Sequence, residues 1–275
     1  METRSLSPTE AKVVLSLEAE AVEELTLAGV RKRAGVSAGF ARKIAHELVR
    51  KGWLQRLSRG RYLLNPSRHG PDAIPDTDPF RFGSRIVSPY YFGFATAAEL
   101  WRLLPQAGSV YYIVTPQRGS ARWGHAAQYR RITVSPDRFF GVARIERRGE
   151  TLCVSDRERT VLDCLSRPEF SGGLGGVVKI IESAGRTLNW TRLAEYLRRL
   201  GSRSLRLRLA YLVEVHGSTV DPPARWLDRA RPRPDDPYVP LGAPMEFGRR
   251  GPHDARWHII RNVPEALLRA EVDIR

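Results

Sequence analysis

Short apolar repeats with polar boundaries fill the first 52 residues and predict three helices. Residues 7–20 place valines and leucines on one face, behind a serine and a glutamate that have capping-box spacing. A second, shorter helix is predicted over Thr26–Gly35, and Ser37 is predicted to cap a third helix that runs to Lys51. The last two helices, joined by a turn at Val36, form a helix-turn-helix.

The third helix divides into an apolar face and a basic face. Phe40, Ile44 and Leu48 recur every four residues, so all three are predicted to face the core. The small residues Ala38 and Gly39 are predicted to let the start of the helix approach a groove closely. The basic residues follow on the remaining surface: Arg42, Lys43, His46, Arg50 and Lys51.

Two stretches that alternate like strands, "WLQRL" and "RYLL", surround the turn "SRG" and predict a hairpin after the third helix. Three helices followed by a basic hairpin is the order of a winged helix-turn-helix. In that fold the third helix enters the major groove, and the wing lies over the backbone or a minor groove. The wing arginines lie at or near the tip of the hairpin: Arg56, Arg59 and Arg61.

Side-chain chemistry suggests a role for each candidate contact. Arg42 and Arg50 have the planar fork that can bind guanine O6 and N7 together, whereas the lysines and the wing arginines are expected to bind phosphates. His46 is either a contact to phosphate or base, or an inert surface residue. The predicted DNA-binding set is Ser37, Ala38, Arg42, Lys43, His46, Arg50, Lys51, Arg56, Arg59 and Arg61.

The charge of the chain supports an anionic partner. Leu25–Gly70 contains eleven basic residues and one acidic residue, Glu47, and the whole chain has a formal net charge of +15. Such an excess favours a polyanion, with nucleic acid first and an anionic membrane surface second. No basic amphipathic helix with a bulky apolar face stands alone, which argues against the membrane. The alternative interpretation is a set of ordinary solvated charges.

Four prolines between residues 66 and 79 interrupt a polar run without periodicity, and they predict a domain boundary. We therefore expect a winged helix-turn-helix domain at 1–70, a linker at 71–79 and a larger α+β domain at 80–275. Strands are predicted over 109–115, 129–134 and 139–154, and helices over 95–104 and between Ser155, as an N-cap, and His216.

No catalytic, metal or cofactor site is predicted. Asp156, Glu158 and Asp163 lie close together, but helix capping, a favourable place in the first helical turn and pairing with Arg159 account for them. The six histidines are scattered, and "GGLGG" lacks the spacing of a phosphate-binding loop. Two cysteines without a CxxC pattern, no signal pattern and no apolar run of about 18 residues predict a cytoplasmic protein without disulfides.

The chain resembles the AbiEi family of antitoxins from type IV toxin–antitoxin systems. Four stretches carry the resemblance along nearly the whole chain: "LVRKGWLQRLSRGRYLL", "SPYYFGFATAAEL", "VSDRERTVLDCLSRPEFSGGLGGVVKII" and "RWHIIRNVP". The stretch that begins at Val154 is the most specific of these, because many regulators share helix-turn-helix sequences.

The resemblance implies an N-terminal winged helix domain that represses the antitoxin's own operon by binding inverted repeats at the promoter. It also implies a C-terminal domain that counters an AbiEii-type nucleotidyltransferase toxin without a stable complex, and it supplies no catalytic residue. The Arg- and Pro-rich passage at 221–244 departs from many relatives. Two alternatives remain open at this point. One is a nuclease or nucleic-acid-modifying enzyme with a winged helix targeting domain, and the other is an RNA-binding or structural interaction protein.

Overall fold

The computed structural model describes residues 4–70, 78–104, 108–119, 122–124, 128–216 and 220–269. The chain is a mixed α and β protein, about half helical with several sheets, and it divides into two compact units, Met1–Ile86 and Val87–Arg275. The expected mixture of helices and strands is therefore confirmed. Residues 71–77, which are most of the predicted linker, lie outside the described residues.

The first unit, called unit 1, combines α-helices with a three-stranded sheet. Its helices are α1 (Pro8–Ala19), α2 (Leu27–Ala34), α3 (Ala38–Arg50) and α4 (Pro79–Ile86), and its strands are β1 (Glu24–Thr26), β2 (Leu54–Ser58) and β3 (Arg61–Leu64). The strands lie in the order β1-β3-β2, and both pairings are antiparallel. The first three helices and the hairpin agree with the sequence pattern. Strand β1 was not predicted, because three residues are too few to show a period of two.

The core of unit 1 corrects the predicted apolar face of α3. Ala41, Ile44, Ala45 and Leu48 are buried, whereas the side chain of Phe40 is 48% exposed. Each step of four residues advances by about 40° around an α-helix, so Phe40 and Leu48 lie about 80° apart. They therefore cannot both lie at the centre of the buried face. The buried stripe is completed by two alanines, which a search for large apolar residues overlooks.

Helix α4 belongs to unit 1, although the prediction placed Pro79 in the linker and the remaining residues of this helix in the second domain. Arg81 Nη2 lies 2.7 Å from Glu23 Oε1. Arg61 donates to the carbonyl oxygens of Arg85 and Ile86, at 3.1 and 3.2 Å, and so binds the C-terminal end of α4. The proline spacing in the sequence does not reveal the unit against which the next helix packs.

The second unit, called unit 2, is built on a six-stranded mixed sheet in the order β6-β7-β5-β4-β9-β8. These strands are β4 (Tyr91–Phe92), β5 (Val110–Thr115), β6 (Arg122–Gly124), β7 (Gln128–Thr133), β8 (Val142–Arg147) and β9 (Glu150–Ser155). The helices are α5 (Phe94–Leu100), α6 (Arg157–Ser166), α7 (Gly173–Ala184), α8 (Trp190–Leu200), α9 (Arg203–His216), α10 (Ala224–Ala230), α11 (Pro244–Phe247) and α12 (Glu265–Arg269). A small sheet in the order β10-β12-β11 joins β10 (Val239–Pro240), β11 (His253–Asp254) and β12 (Ile259–Ile260).

The start of α6 corrects a predicted helix cap. Ser155 ends β9, and its hydroxyl lies 2.8 Å from Thr160 Oγ1. The N-cap is instead Asp156, whose carboxylate accepts the backbone N–H of Arg159 at 2.8 Å. Glu158 does not close a capping box, because its carboxylate is turned to another helix. The strand continues one residue further than the pattern indicates, which moves the cap by one position.

Two predictions drawn from composition concern thiols and membranes. Cys153 and Cys164 are both free. Burial raises the pKa of the Cys164 thiol to about 12, so this thiol is protonated at neutral pH. Among the helices of the described ranges, none combines the length and the apolar character that crossing a membrane requires.

Candidate nucleic-acid interface

The turn between α2 and α3 determines where α3 begins. Gly35 has a φ of +67°, a left-handed conformation that glycine adopts at low cost, and its N–H donates to the carbonyl of Arg31. Ser37 Oγ then accepts the backbone N–H of Phe40 at 3.3 Å. Ser37 therefore acts as the N-cap that the sequence predicts, and its hydroxyl is used to fix the first turn of α3.

The outer face of α3 carries small residues in its first turn and basic residues further along. Ala38 and Gly39 are exposed, and apart from the adjoining residues and the backbone of α3, no atom of the described residues lies within 4 Å of the position that a Cβ on Gly39 would occupy. Arg42, Lys43 and His46 follow, and all three are exposed. At about 100° per residue, the positions of Gly39, Lys43 and His46 fall within about 60° of one another, opposite the buried stripe.

Arg50 completes the predicted basic row, but a carboxylate of the same helix holds it. Its Nε and Nη2 donate to Glu47 Oε2 at 3.0 and 2.7 Å. These hydrogen bonds lower the pKa of Glu47, so the carboxylate stays charged on an otherwise basic surface. Arg50 must exchange this partner before its guanidinium can bind a base.

Two predicted phosphate contacts are engaged within unit 1. Lys51 Nζ lies 2.7 Å from Glu10 Oε2, and the Lys51 side chain is only 16% exposed. Arg61 Nη2 lies 2.8 Å from Glu24 Oε2, in addition to its bonds with the end of α4. A sequence shows the charge of a residue, but not the carboxylate that packing brings to it. We therefore leave Lys51 and Arg61 out of the candidate interface.

The hairpin of β2 and β3 carries the other two arginines that the sequence predicts in a wing, Arg56 and Arg59. Arg59 and Gly60 form its tip, and Gly60 has a φ of +74°. The carbonyl of Gly60 accepts the N–H of Leu27 at 2.8 Å, which ties the tip to the first residue of α2. Arg56 and Arg59 are exposed. The hydrogen bond between Gly60 and Leu27 fixes the position of the hairpin, with its two exposed cations, relative to α2.

Between Leu25 and Gly70, six exposed basic side chains have no carboxylate within 4 Å among the described residues. Two of these, Arg31 and Lys32 in the last turn of α2, are missing from the predicted set. Their signal in the sequence is the run "RKR" just before the turn. We call the six residues the cation set: Arg31, Lys32, Arg42, Lys43, Arg56 and Arg59.

The clustered carboxylates of unit 2 are bonded to protein groups. Asp156 caps α6, and burial raises its pKa. Glu158 accepts the backbone N–H of Asn189 at 2.6 Å. Asp163 accepts from the Arg159 guanidinium at 2.8 Å, which is the predicted pairing. Within the described ranges, no three His, Cys, Asp or Glu side chains are grouped so that they could hold a metal ion.

No family model matches the chain, and no curated protein matches it. Among solved structures, the crystal structure of the Rv2827c protein from Mycobacterium tuberculosis is similar over 94% of this chain and 92% of that chain. The TM-score is 0.63 and the sequence identity is 19%. At this identity the similarity concerns the fold alone.

Proposed function

We propose that unit 1 is a winged helix-turn-helix that binds double-stranded DNA, and that the protein represses transcription of its own operon. The observation that carries the proposal is the cation set: six exposed cations on two adjoining helices and a hairpin, none of which has a carboxylate partner among the described residues. A cluster of exposed cations with few acidic neighbours is typical of a surface that binds phosphates, and its positive potential steers a polyanion toward it.

The start of α3 supports its assignment as the helix that enters the major groove. Glycine inside a helix is destabilising by roughly 0.5–1 kcal/mol relative to alanine. In the part of the chain that the structure describes, no packing contact requires Gly39 to lack a side chain, since the space around its Cβ position is open. The small residue therefore serves an approach from outside. Beside it, the exposed ring of Phe40 is an apolar group of the kind that contacts thymine methyl groups.

Arg42 is the base-reading candidate, because it is exposed on α3 and has no carboxylate partner among the described residues. We expect Arg42→Ala to weaken binding to the specific site by about 1–3 kcal/mol and to relax preference at one base position. Gel shifts with duplexes from the DNA upstream of the gene, each carrying one changed base pair, measure this. An equal loss on random duplex would show that Arg42 contacts only phosphate.

Arg59, at the tip of the hairpin, is the phosphate-binding candidate. Arg59→Ala should weaken binding about equally on specific and random duplexes and reduce the log–log salt slope by roughly one unit. The matched control is Arg225→Ala, which removes an exposed arginine from α10 of unit 2. If Arg59→Ala has the same salt slope as the wild type, Arg59 does not contact a phosphate and the assignment is wrong.

The same assay separates the proposed repressor from its alternatives. Binding to RNA in preference to duplex DNA would favour an RNA-binding protein, and cleavage of the duplex with Mg²⁺ present would favour a nuclease. Equal affinity for upstream and random DNA would contradict the proposal of a specific repressor.

We further propose, on the resemblance to AbiEi antitoxins, that unit 2 counters a nucleotidyltransferase-type toxin in the cytoplasm without forming a stable complex with it. The toxin gene would lie beside the gene for this chain. Expression of that neighbour alone should stop growth, and co-expression with this chain should restore it. Failure to restore growth would reject the antitoxin role and leave the DNA-binding proposal intact.

A further inference from the structure

Unit 2 contains a cavity of about 530 Å³ whose charged lining is dominated by arginine. It lies between α6, the end of α8, α9 and the segment that follows β7. Four arginines line it, together with one acidic residue, Asp163: Arg138, Arg159, Arg167 and Arg208. None of the residues that line the cavity belongs to the proposed DNA interface.

The carboxylate of Asp163 in the lining forms an ion pair with one of the four arginines, Arg159. Arg159 Nε donates to Asp163 Oδ1 at 2.8 Å, and the hydroxyl of Tyr91 donates to Asp163 Oδ2 at 3.2 Å. Both members of the ion pair are buried. This pair is neutral as a whole, so Arg138, Arg167 and Arg208 leave the cavity with an excess positive charge.

Arg208 is a half-buried cation, and no carboxylate of the described residues pairs with it. Its Nε donates to the carbonyl oxygen of Pro240 at 2.8 Å, and among the described residues no carboxylate lies within 4 Å of its guanidinium. Burial lowers the pKa of Arg208, because no anion offsets the loss of water. A partly desolvated charge without an ionic partner is unfavourable, and a bound anion would offset that cost.

The other two arginines, Arg138 and Arg167, are exposed. Arg138 is exposed and has no carboxylate within 4 Å among the described residues. Arg167 Nε lies 3.3 Å from Glu169 Oε1, but both side chains of this pair are about half exposed, so the pair is weak. The guanidinium of Arg167 also lies over the ring of Phe170, 4.4 Å from its centroid.

The remaining lining suits a ligand that is anionic at one end only. Ser135, Ser202 and Ser204 contribute hydroxyl groups, while Phe94 and Leu205 contribute apolar surface. Ligand pockets commonly have volumes of about 300–1,000 Å³, with apolar walls and a few converging polar groups. A single inorganic ion would fill only a small part of such a space.

We propose that this cavity binds a phosphate ester of nucleotide size, with its phosphate held by Arg208 and Arg138 and its less polar part against the apolar wall. Guanidinium groups bind phosphate oxygens in a bidentate manner, and the hydroxyls of the lining can bind the remaining oxygens. This site is independent of the proposed DNA-binding function, since it lies wholly within unit 2.

The test measures thermal unfolding and calorimetric binding of the full chain with the four ribonucleoside monophosphates, inorganic phosphate and sulfate at equal ionic strength. At a concentration 100 times its Kd, a bound nucleotide should raise the Tm of unit 2 by about 5–10 °C. No shift with any of the four nucleotides would overturn the proposal. An equal shift with sulfate would also overturn it, because the site would then take any small anion.

Matched variants locate the binding. Arg208→Gln and Arg138→Gln should each weaken nucleotide binding at least about tenfold, which is the loss of one charge-assisted contact. Arg225→Gln, an exposed arginine of the same unit outside the cavity lining, should leave binding unchanged. Lys43→Gln tests unit 1: if it abolishes nucleotide binding while Arg138→Gln does not, the ligand binds the DNA-binding surface and the proposal is wrong. Arg138 is exposed, so its variant remains informative if Arg208→Gln fails to fold.

Discussion

Glu47 is the one acidic residue between Leu25 and Gly70, and it lies on the helix that we propose reads DNA. Its carboxylate binds Arg50 and lies 3.7 Å from Nδ1 of the exposed His46. The hydrogen bond from Arg50 lowers the pKa of Glu47, so the side chain is negative at neutral pH. Glu47 therefore both repels phosphate and occupies a guanidinium that could bind DNA.

Replacing this carboxylate should strengthen DNA binding. We expect Glu47→Gln to tighten binding about three- to tenfold on all duplexes and to increase the log–log salt slope by up to about one unit, because Arg50 becomes available to a phosphate. Fluorescence anisotropy over a range of salt concentrations measures both quantities. Glu195→Gln makes the same change of charge on an exposed residue of unit 2 and is the control. Weaker binding by Glu47→Gln would mean that the Glu47–Arg50 pair positions Arg50 for its contact.

At the scale of elements, one ion pair joins the end of α3 to the start of α1. Lys51, the residue that follows α3, binds Glu10 in the first turn of α1, and Glu10 also accepts the N–H of Ser7 at 2.7 Å. Burial alone would raise the pKa of Glu10, but the hydrogen bonds from Lys51 and Ser7 outweigh burial and lower it. The pair therefore stabilises the folded state in which Glu10 is ionised.

Removing Lys51 should affect stability and leave DNA binding unchanged. We expect Lys51→Met to lower the free energy of unfolding of unit 1 by about 2 kcal/mol at pH 7, because the Glu10 carboxylate loses a charged partner. The folded pKa of Glu10 is depressed, so this contribution is fully present above its ordinary pKa and is lost as the pH falls through the folded value. The difference between variant and wild type should therefore shrink in acid.

Hydrogen–deuterium exchange of peptides from α1 and α3 in the full chain, compared at pH 7 and at pH 3, measures this difference. Lys12→Met removes an exposed lysine of α1 and serves as the control. A salt slope that falls by about one unit in Lys51→Met would contradict our assignment and restore Lys51 as a phosphate contact.

The sequence predicted these elements better than it predicted their partners. Capping residues and apolar repeats located α1 and α3 and the hairpin to within a residue or two, because those signals are local. The partners of Lys51 and Arg61 could not be predicted from local sequence, since Glu10 and Glu24 lie 41 and 37 positions away along the chain. The exposure of Phe40 was missed because Ala41 fills the core instead. The arginine-lined cavity depends on packing among α6, α8 and α9, and no local pattern reveals it.

At the scale of the whole molecule, the division of the chain decides how its activities can be separated. Unit 1 ends at Ile86, after α4, and not at Gly70, where the sequence predicted the end of the first domain. Helix α4 contributes the Arg81–Glu23 ion pair, and its last carbonyl groups accept from Arg61. A fragment that stops at Gly70 loses all of these contacts, whereas one that stops at Ile86 keeps them.

We therefore expect Met1–Ile86 to fold and bind DNA, and Met1–Gly70 to be less stable by at least about 2 kcal/mol, which is roughly the contribution of only one of the lost charge-assisted contacts. Val87–Arg275 contains the complete nucleotide cavity and a sheet of its own, so it should fold, bind the nucleotide and restore growth against the toxin without shifting promoter DNA. Urea unfolding, gel shifts and growth measurements on the three fragments test this. Equal stability of Met1–Gly70 and Met1–Ile86 would show that α4 does not stabilise unit 1. Promoter binding by folded Val87–Arg275 would refute the assignment of DNA recognition to unit 1, because every residue of the cation set precedes Gly60.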